Sequence, residues 1–328
     1  MSSQKEQKIS EDFTDSKVYK KQKLKLYYIK HFIFDFGGVM VEKTFVLKNL
    51  FEIIEDDLGI GIPSKEESLY VKKIRRQATS GVISTRTFLE KLFDKYYYPI
   101  QKSNGSLPPK KVNVSYYLEL WFHLYSQLTQ LSSEMEEIIE RLHKAGFTVN
   151  LMSNTYDIHA KSNELKGFYK KFDNIFLSNE IGLLKPDLEK YRYVLKKLDA
   201  KPRKCVFIDD KIRNLGPARQ LGISVIKFES LNKFKEILNR LGIEHISKNL
   251  RHEIRNKYKQ YKMKKKEFKR AKKNLKEAKK DFLQKKMNSI KRKLKYQEKH
   301  QEYLNIKLEF KMEKEKKKEL IAKYKISD

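Results

Sequence analysis

Short apolar runs alternate with helix-like segments over much of this chain, and this alternation constrains the fold more than any other feature. The first run, YYIKHFIFDF, stops at a pair of glycines. Further apolar runs lie at 148–152, 174–177, 204–208 and 224–228, with helical spacing between them at 188–198 and 215–221. This order predicts an α/β fold with a doubly wound, Rossmann-like parallel sheet. Ligands bind at the carboxyl ends of the strands in such sheets, so the residues just after each apolar run are the first candidates for functional residues.

The remaining segments differ from this core in composition and periodicity. Residues 44–127 show helical spacing without a comparable strand, which predicts a helical insertion into a core of 27–43 and 128–248. Residues 1–26 are polar and basic, so we expect a disordered tail there. Residues 249–328 contain no Gly or Pro and are rich in Lys, Glu, Gln and Leu, which predicts a long basic helix or a weak coiled coil.

Positive charge is concentrated toward the C-terminal end. The chain has 73 Lys and Arg against 42 Asp and Glu, and residues 251–328 alone hold 30 basic and 11 acidic side chains. This surplus argues against a uniform globule and makes polyanions plausible partners. The sequence shows no signal peptide and no apolar run long enough to span a membrane, so we expect an intracellular, cytoplasmic protein. The single cysteine, Cys205, cannot form an internal disulfide and offers no zinc-binding spacing.

Complementary polar groups follow the predicted strands or lie between them. They are Asp35 after the first run, Ser153 and Asn154 after the second, Lys185 before a proline, and Asp209 and Asp210 after the fourth. Carboxylates gathered in one cleft repel unless a divalent cation lies among them, and oxygen ligands without Cys or His favour Mg²⁺. A hydroxyl, an amide and an ammonium beside the metal suit a phosphate group, and one carboxylate can act as a nucleophile toward phosphorus.

Four segments resemble the four motifs of the haloacid dehalogenase superfamily of phosphotransferases, in the same order and spacing. They are FIFDFGGVM, LMSNT, IGLLKPDLEKY and FIDDKIRNLGPARQLGISVI, and the resemblance covers residues 32–228. Four motifs in order are a specific signal, whereas one alone is weak. The resemblance is strongest to the subgroup that contains the phosphatase domain of soluble epoxide hydrolases and the bacterial glucose-1-phosphate phosphatases. It implies a Mg²⁺-dependent phosphatase in which residues 44–127 form a cap over the substrate.

The resemblance also implies roles for the carboxylates and their neighbours. Asp35 would attack phosphorus, form an aspartyl-phosphate and bind Mg²⁺. The backbone carbonyl of Gly37 and the carboxylate of Asp210 would be further metal ligands. Asp209 would bind the metal or hold its waters, and Asn214 would brace the aspartate pair.

The same resemblance implies how the substrate is held and which substrate class is accepted. Ser153, the amides around Asn154, and Lys185 would hold the phosphoryl oxygens in a largely electrostatic mechanism. The substrate would be a small phosphorylated metabolite. The alternative is a catalytically weak or inactive module of the same fold that the basic helix tethers to nucleic acid or the ribosome.

Gly37 departs from the pattern of most phosphatases in the superfamily. They carry a second Asp at this position, which protonates the leaving group and then activates water. Loss of a general acid and base costs on the order of 10² to 10⁴ in rate. Glu42 could substitute for it, or the substrate could have a good leaving group, or the enzyme could be slow. The dehalogenases of the superfamily tend to carry Tyr here and use no metal, so Gly37 with the retained Asp209 and Asp210 favours phosphate chemistry.

A stripe of mostly apolar residues runs along the basic segment at every seventh position. It consists of Ile254, Tyr261, Phe268, Leu275, Phe282, Ser289, Tyr296, Tyr303, Phe310, Lys317 and Tyr324. Companion positions three or four residues away are mixed, so the pattern predicts at most a weak coiled coil. Three alternatives remain open: a solvated helix that self-associates through the stripe, a nonspecific tether to nucleic acid or the ribosome, and an anionic membrane surface. Because lysine dominates, sequence-specific reading of a nucleic acid is not expected.

Overall fold

The computed structural model describes residues 28–64, 66–103, 111–243, 248–284 and 290–323. The chain divides into two compact units, one of Ile29–Lys235 and one of Met1–Tyr28 with Glu236–Asp328. The predicted disordered tail of residues 1–26 lies outside the described residues. None of the described helices combines the length and apolar character that a membrane span requires.

A parallel sheet forms the centre of the first unit. Its strands are β1 (His31–Phe34), β2 (Thr148–Ser153), β3 (Asn174–Leu177), β4 (Cys205–Asp209) and β5 (Ser224–Lys227). They lie in the order β3, β2, β1, β4, β5, and each neighbouring pair is parallel. Every residue of β1 and β4 is buried, as expected for parallel strands covered on both faces. The α/β fold class is confirmed, and each predicted apolar run forms a strand.

Helices fill the segment between β1 and β2. They are α1 (Val46–Leu58), α2 (Leu69–Thr79), α3 (Thr85–Tyr96), α4 (Tyr98–Ser103) and α5 (Val114–Leu128). Their apolar faces share a core of their own, in which Leu50, Phe88 and Trp121 are fully buried. No strand occurs in the described part of 44–127, as the helical spacing predicts. An antiparallel bridge between Val41 and Leu131 joins the two connections to the sheet.

The rest of the first unit alternates helices with the strands. These helices are α6 (Ser133–Lys144), α7 (Asp157–Leu165), α8 (Ser178–Ile181), α9 (Leu188–Lys197), α10 (Ile212–Gln220) and α11 (Leu231–Arg240), with 3₁₀ turns at Phe168–Lys171 and Pro202–Lys204. Tyr191 and Val194 of α9 and Leu215 of α10 pack with Ile33 and Phe207 of the sheet. This packing fixes the loops at the carboxyl ends of β1 and β4.

Two long helices dominate the described part of the second unit. They are α12 (Lys248–Gln284) and α13 (Ile290–Lys323), so the predicted long basic helix is present as a pair rather than as one rod. The two run antiparallel, because Tyr261 stacks on Phe310 while Phe268 stacks on both Phe310 and Tyr303. Four described residues of the stripe therefore join α12 to α13 within the chain: Tyr261, Phe268, Tyr303 and Phe310.

Candidate functional site

Register in the sheet brings the predicted carboxylates together. Phe34 at the end of β1 pairs with Ile208 of β4, and the N–H of Asp35 donates to the Ile208 carbonyl at 2.8 Å. Asp35 and Asp209 therefore leave neighbouring strands side by side, with Asp210 next in the chain. Carboxylate oxygens of the three residues lie within 4.8 Å of one another. The sheet thus brings Asp35 next to two aspartates that lie 174 and 175 positions later in the sequence.

Lys185 lies between two of these carboxylates. Its Nζ is 2.7 Å from Asp35 Oδ1 and 2.8 Å from Asp209 Oδ2, and all three side chains are almost fully buried. Burial by itself would lower the pKa of Lys185, but the two carboxylates outweigh it and raise the pKa. Burial raises the pKa of Asp35 to about 6, with Lys185 opposing the rise. The lysine therefore stays charged and reduces the repulsion within the cluster.

The carboxylate oxygens of Asp209 and Asp210 differ in how many hydrogen bonds they accept. Asn214 Nδ2 donates to both carboxylate oxygens of Asp209 at 2.9 Å, and the N–H of Lys211 donates to Oδ1 at 2.8 Å. Burial would raise the pKa of Asp209, but Lys185 and these donors together lower it. Both carboxylate oxygens of Asp210 are buried; Oδ2 forms an ion pair with Lys43 Nζ at 2.7 Å, and Oδ1 has no partner among the described residues. A buried, unpartnered carboxylate oxygen in an all-oxygen donor set fits a Mg²⁺ ion.

The turn after β1 packs tightly against Asp210. Gly38 has φ +84°, and a Cβ there would lie 2.9 Å from Asp210 Oδ2, so both backbone and space require glycine. A Cβ on Gly37 would meet nothing within 4 Å, so this position has room for a side chain. Lys43 follows the same turn; its side chain, which the sequence did not single out, reaches Asp210.

Ser153 and Asn154 lie at the end of β2, next to β1. The side chain of Asn154 spans to the backbone of Lys185, donating to its carbonyl at 2.8 Å and accepting from its N–H at 2.9 Å. This pair of bonds positions the loop that carries Lys185. Because the Asn154 amide is engaged there, its backbone N–H rather than its side chain is the group available to a phosphate. Ser153 is buried, and its hydroxyl makes only a 3.5 Å contact to the Asn154 carbonyl.

Lys190 is a second lysine beside this loop, and its side chain is completely buried. Its ammonium donates to the Ser153 carbonyl at 2.6 Å and to Asn154 Oδ1 at 3.1 Å. Burial, reinforced by repulsion from Lys185, lowers the pKa of Lys190 to about 6. The sequence carried a signal for this residue, because Lys190 falls four residues before Val194 on the apolar face of α9.

Glu42 is not one of the three grouped carboxylates. Its side chain is exposed on the wall of a cavity of about 860 Å³ that Asp210 borders. Lys43, Lys227 and Phe228 line the same cavity. Glu42 therefore faces a space beside the cluster that could admit a leaving group, and its role as a substitute acid stays a prediction.

The helical insertion contacts the loops that carry the site. Arg76 of α2 forms an ion pair with Asp187, two residues after Lys185. Ser178 Oγ donates to the Thr79 carbonyl, and a Cβ on Gly81 would lie 2.0 Å from the Asn179 carbonyl oxygen. The insertion therefore contacts both α8 and the loop that follows Lys185.

Comparison with known proteins places this chain in one family. Residues 29–222 match the family described as haloacid dehalogenase-like hydrolase, and the chain belongs to that family. Bifunctional epoxide hydrolase 2 of Mus musculus is 29% identical over 143 residues, which are 41% of this chain and 24% of the relative. A sesquiterpene phosphatase of Aspergillus oryzae is 34% identical over 93 residues, 28% of this chain and 47% of the relative. The matched part therefore spans less than half the length of either relative.

Two solved structures match this chain at low sequence identity. A HAD family enzyme of Bacteroides thetaiotaomicron is 21% identical with a TM-score of 0.49, over 64% of this chain and 98% of that chain. A structure of the wild-type enzyme in complex with magnesium and inorganic phosphate is 22% identical with a TM-score of 0.46, over 63% of this chain and 98% of that chain.

Replacement of Lys190 by Met is expected to change the pH dependence of stability. The unfolded lysine, with a pKa of 10.5, takes up a proton that the folded lysine, with a pKa of about 6, does not hold. The native chain therefore loses free energy of unfolding, relative to Lys190→Met, as the pH falls from about 10 to about 6. Denaturant unfolding at several pH values measures this difference.

Lys196→Met is the matched control, since Lys196 is an exposed lysine of the same helix. Its unfolding free energy should follow that of the native chain at every pH. If Lys190→Met also runs parallel to the native chain, Lys190 does not change its proton affinity on folding.

Proposed function

We propose that this chain is a Mg²⁺-dependent phosphatase that hydrolyses a small phosphorylated metabolite through an aspartyl-phosphate on Asp35. The observation that carries the proposal is the buried cluster of Asp35, Lys185, Asp209 and Asp210 at the carboxyl ends of β1 and β4. An arrangement of carboxylates with one buried ammonium suits a dianionic phosphoryl group with a divalent cation. The sesquiterpene phosphatase among the relatives supports the reaction class.

Asp35 is the proposed nucleophile. Both the N–H of Phe36 and the ammonium of Lys185 engage Oδ1, so we assign the attack on phosphorus to Oδ2. The new Oδ2–P bond forms as the ester P–O bond breaks, and the ester oxygen leaves with the bonding electrons and takes up a proton. Water then attacks phosphorus as the Oδ2–P bond breaks, its proton passes to the group that protonated the leaving oxygen, and inorganic phosphate and the free carboxylate of Asp35 result.

The neighbours of Asp35 would supply charge and position. Asp35, Asp209, Asp210 and the Gly37 carbonyl are the groups that would hold Mg²⁺, which when bound would polarise the phosphoryl group and offset the carboxylate charge. Lys185, Ser153 and the backbone of Asn154 would hold phosphoryl oxygens.

Proton transfer to the leaving oxygen is the step for which this chain has no obvious group. Gly37 has no side chain, and Glu42 is the nearest carboxylate along the chain that faces the cavity beside Asp210. We propose that Glu42 serves as the acid for poor leaving groups. A second candidate function, a weakly active or inactive module of this fold, is favoured by Gly37 alone.

Asp35→Asn is expected to abolish phosphatase activity, because a neutral amide cannot form the aspartyl-phosphate. Purified protein with Mg²⁺ is assayed for phosphate release against a panel of sugar phosphates and an aryl phosphate. Asp199→Asn, a change at an exposed carboxylate, is the control and should retain full activity. Activity that is unchanged in Asp35→Asn, or absent from every protein on the whole panel, would refute the enzymatic proposal.

Gly37→Asp is expected to raise turnover of alkyl phosphates by about 10² or more, because it introduces the missing acid and base where space exists. Gly37→Ala is the matched control, since it adds a side chain without a carboxyl group. Equal kcat values for the two variants would show that proton transfer to the leaving group does not limit the reaction.

Glu42→Gln is expected to reduce kcat for sugar phosphates by at least about 10-fold and to leave kcat for an aryl phosphate nearly unchanged. An aryl oxide leaves readily without a proton, whereas a sugar alkoxide does not. The ratio of the two kcat values measures the effect. A ratio equal to that of the native chain would remove Glu42 as the substitute acid.

A further inference from the structure

The aromatic side chains of the stripe pack between α12 and α13. Two of the alternatives for the basic segment, base stacking on nucleic acid and insertion into a membrane surface, would need the same side chains to be exposed. Phe268 lies between Phe310 and Tyr303, with ring centroids 5.1 and 5.7 Å apart, and Tyr261 stacks on Phe310 at 5.5 Å. These rings are the centre of the seven-residue stripe. We call the antiparallel pair of α12 and α13 the hairpin. In its described part these rings are therefore unavailable for stacking on bases or for insertion into lipid.

A row of lysines covers an outward face of α12. Its members are Lys265, Lys269, Lys272, Lys276 and Lys279, and all five side chains are exposed. Their spacing alternates between four and three residues, so they lie on one face with about one cation per helical turn of ~5.4 Å. Among the described residues, no carboxylate forms an ion pair with any of these five lysines. The lysines of α12 that do form ion pairs are Lys257, Lys264 and Lys273.

The second helix of the pair carries a smaller positive charge. Residues 248–284 of α12 hold 16 basic and 4 acidic side chains, whereas residues 290–323 of α13 hold 12 and 6. Both helices form some ion pairs with nearby glutamates, but none of these pairs among the described residues involves the lysine row of α12. This asymmetry gives the hairpin one strongly cationic side.

We propose that the lysine row of α12 binds the phosphate backbone of double-helical nucleic acid. A duplex carries one negative charge per about 1.7 Å of its axis, so a straight helix with a cation at each turn can lie along the backbone and displace condensed counterions. Lysine ammonium groups contact phosphates as point charges and read no base pattern, so binding is independent of sequence.

Duplex nucleic acid fits this surface better than a single strand or a membrane. Single-strand binding relies on aromatic platforms, and the described aromatic rings at the centre of the stripe pack inside the hairpin. A membrane-surface helix needs a continuous apolar face, but Met263 is the only large apolar side chain that α12 exposes among its described residues. Leu304, Leu308 and Met312 are exposed on α13, on the helix without the unpaired lysine row.

The test measures binding of the full-length chain to a labelled mixed-sequence DNA duplex of about 25 base pairs over a series of salt concentrations. In one variant the five lysines of the row are replaced by Gln, which keeps helix propensity. We expect the affinity at low salt to fall by roughly 10²-fold or more and the slope of log K against log salt to decrease by about 4. Circular dichroism verifies that helix content is unchanged.

The matched control carries five Lys→Gln changes on α13, at Lys299, Lys311, Lys314, Lys316 and Lys318. It removes the same net charge, so a general charge effect would weaken binding equally in both variants and would overturn the assignment to α12. Tighter binding to vesicles that contain phosphatidylserine than to the duplex, or to single-stranded than to double-stranded DNA, would also overturn it. No duplex binding by the native chain at low salt would do the same.

Discussion

The ion pairs of Lys185 with Asp35 and Asp209 are the interaction on which the rest of the site depends. Two carboxylates buried side by side at the ends of neighbouring strands would otherwise repel, and at least one would hold a proton. A protonated Asp35 could not attack phosphorus. The ammonium group between them lets both remain charged in a buried cluster, and the surrounding structure keeps it there, because Asn154 binds the backbone of Lys185 on both sides.

The differences between the carboxylates follow from their hydrogen bonds. Asp209 is saturated by Asn214, Lys211 and Lys185, so it is fixed in place and stays ionised. The carboxylate oxygens of Asp210 are also buried, but Oδ1 has no partner among the described residues and Oδ2 forms an ion pair with Lys43. Asp209 is therefore the more firmly held of the two consecutive aspartates, and Asp210 is the one with an unpartnered oxygen for the proposed Mg²⁺. Gly37 offers no side chain for the proton transfer of the proposed reaction.

The C-terminal unit shows how one pattern can be satisfied in more than one way. A stripe of mostly aromatic residues at every seventh position can pair helices of two chains, face a membrane or pair two helices of the same chain. Periodicity alone does not distinguish these outcomes. Here Phe268 meets Phe310 and Tyr303 of the same chain. Because these rings pack within the chain, lysines predominate among the exposed residues of α12.

The local sequence pattern was sufficient to predict the strands, the helical insertion and the order of the site segments, because each depends on side chains that are close together in sequence. Apolar runs of strand length must be buried, and parallel strands with helices between them have few possible arrangements. The grouping of Asp35, Lys185, Asp209 and Asp210 was also accessible, since the carboxyl ends of the strands meet at one edge. Only the tertiary structure decided that Lys43 reaches Asp210, that Lys190 is buried under Ser153, and that the stripe pairs within the chain. Those contacts join residues that are far apart in sequence, and the residue types alone do not indicate which partner each one meets. The packing of helices and strands against one another decides it.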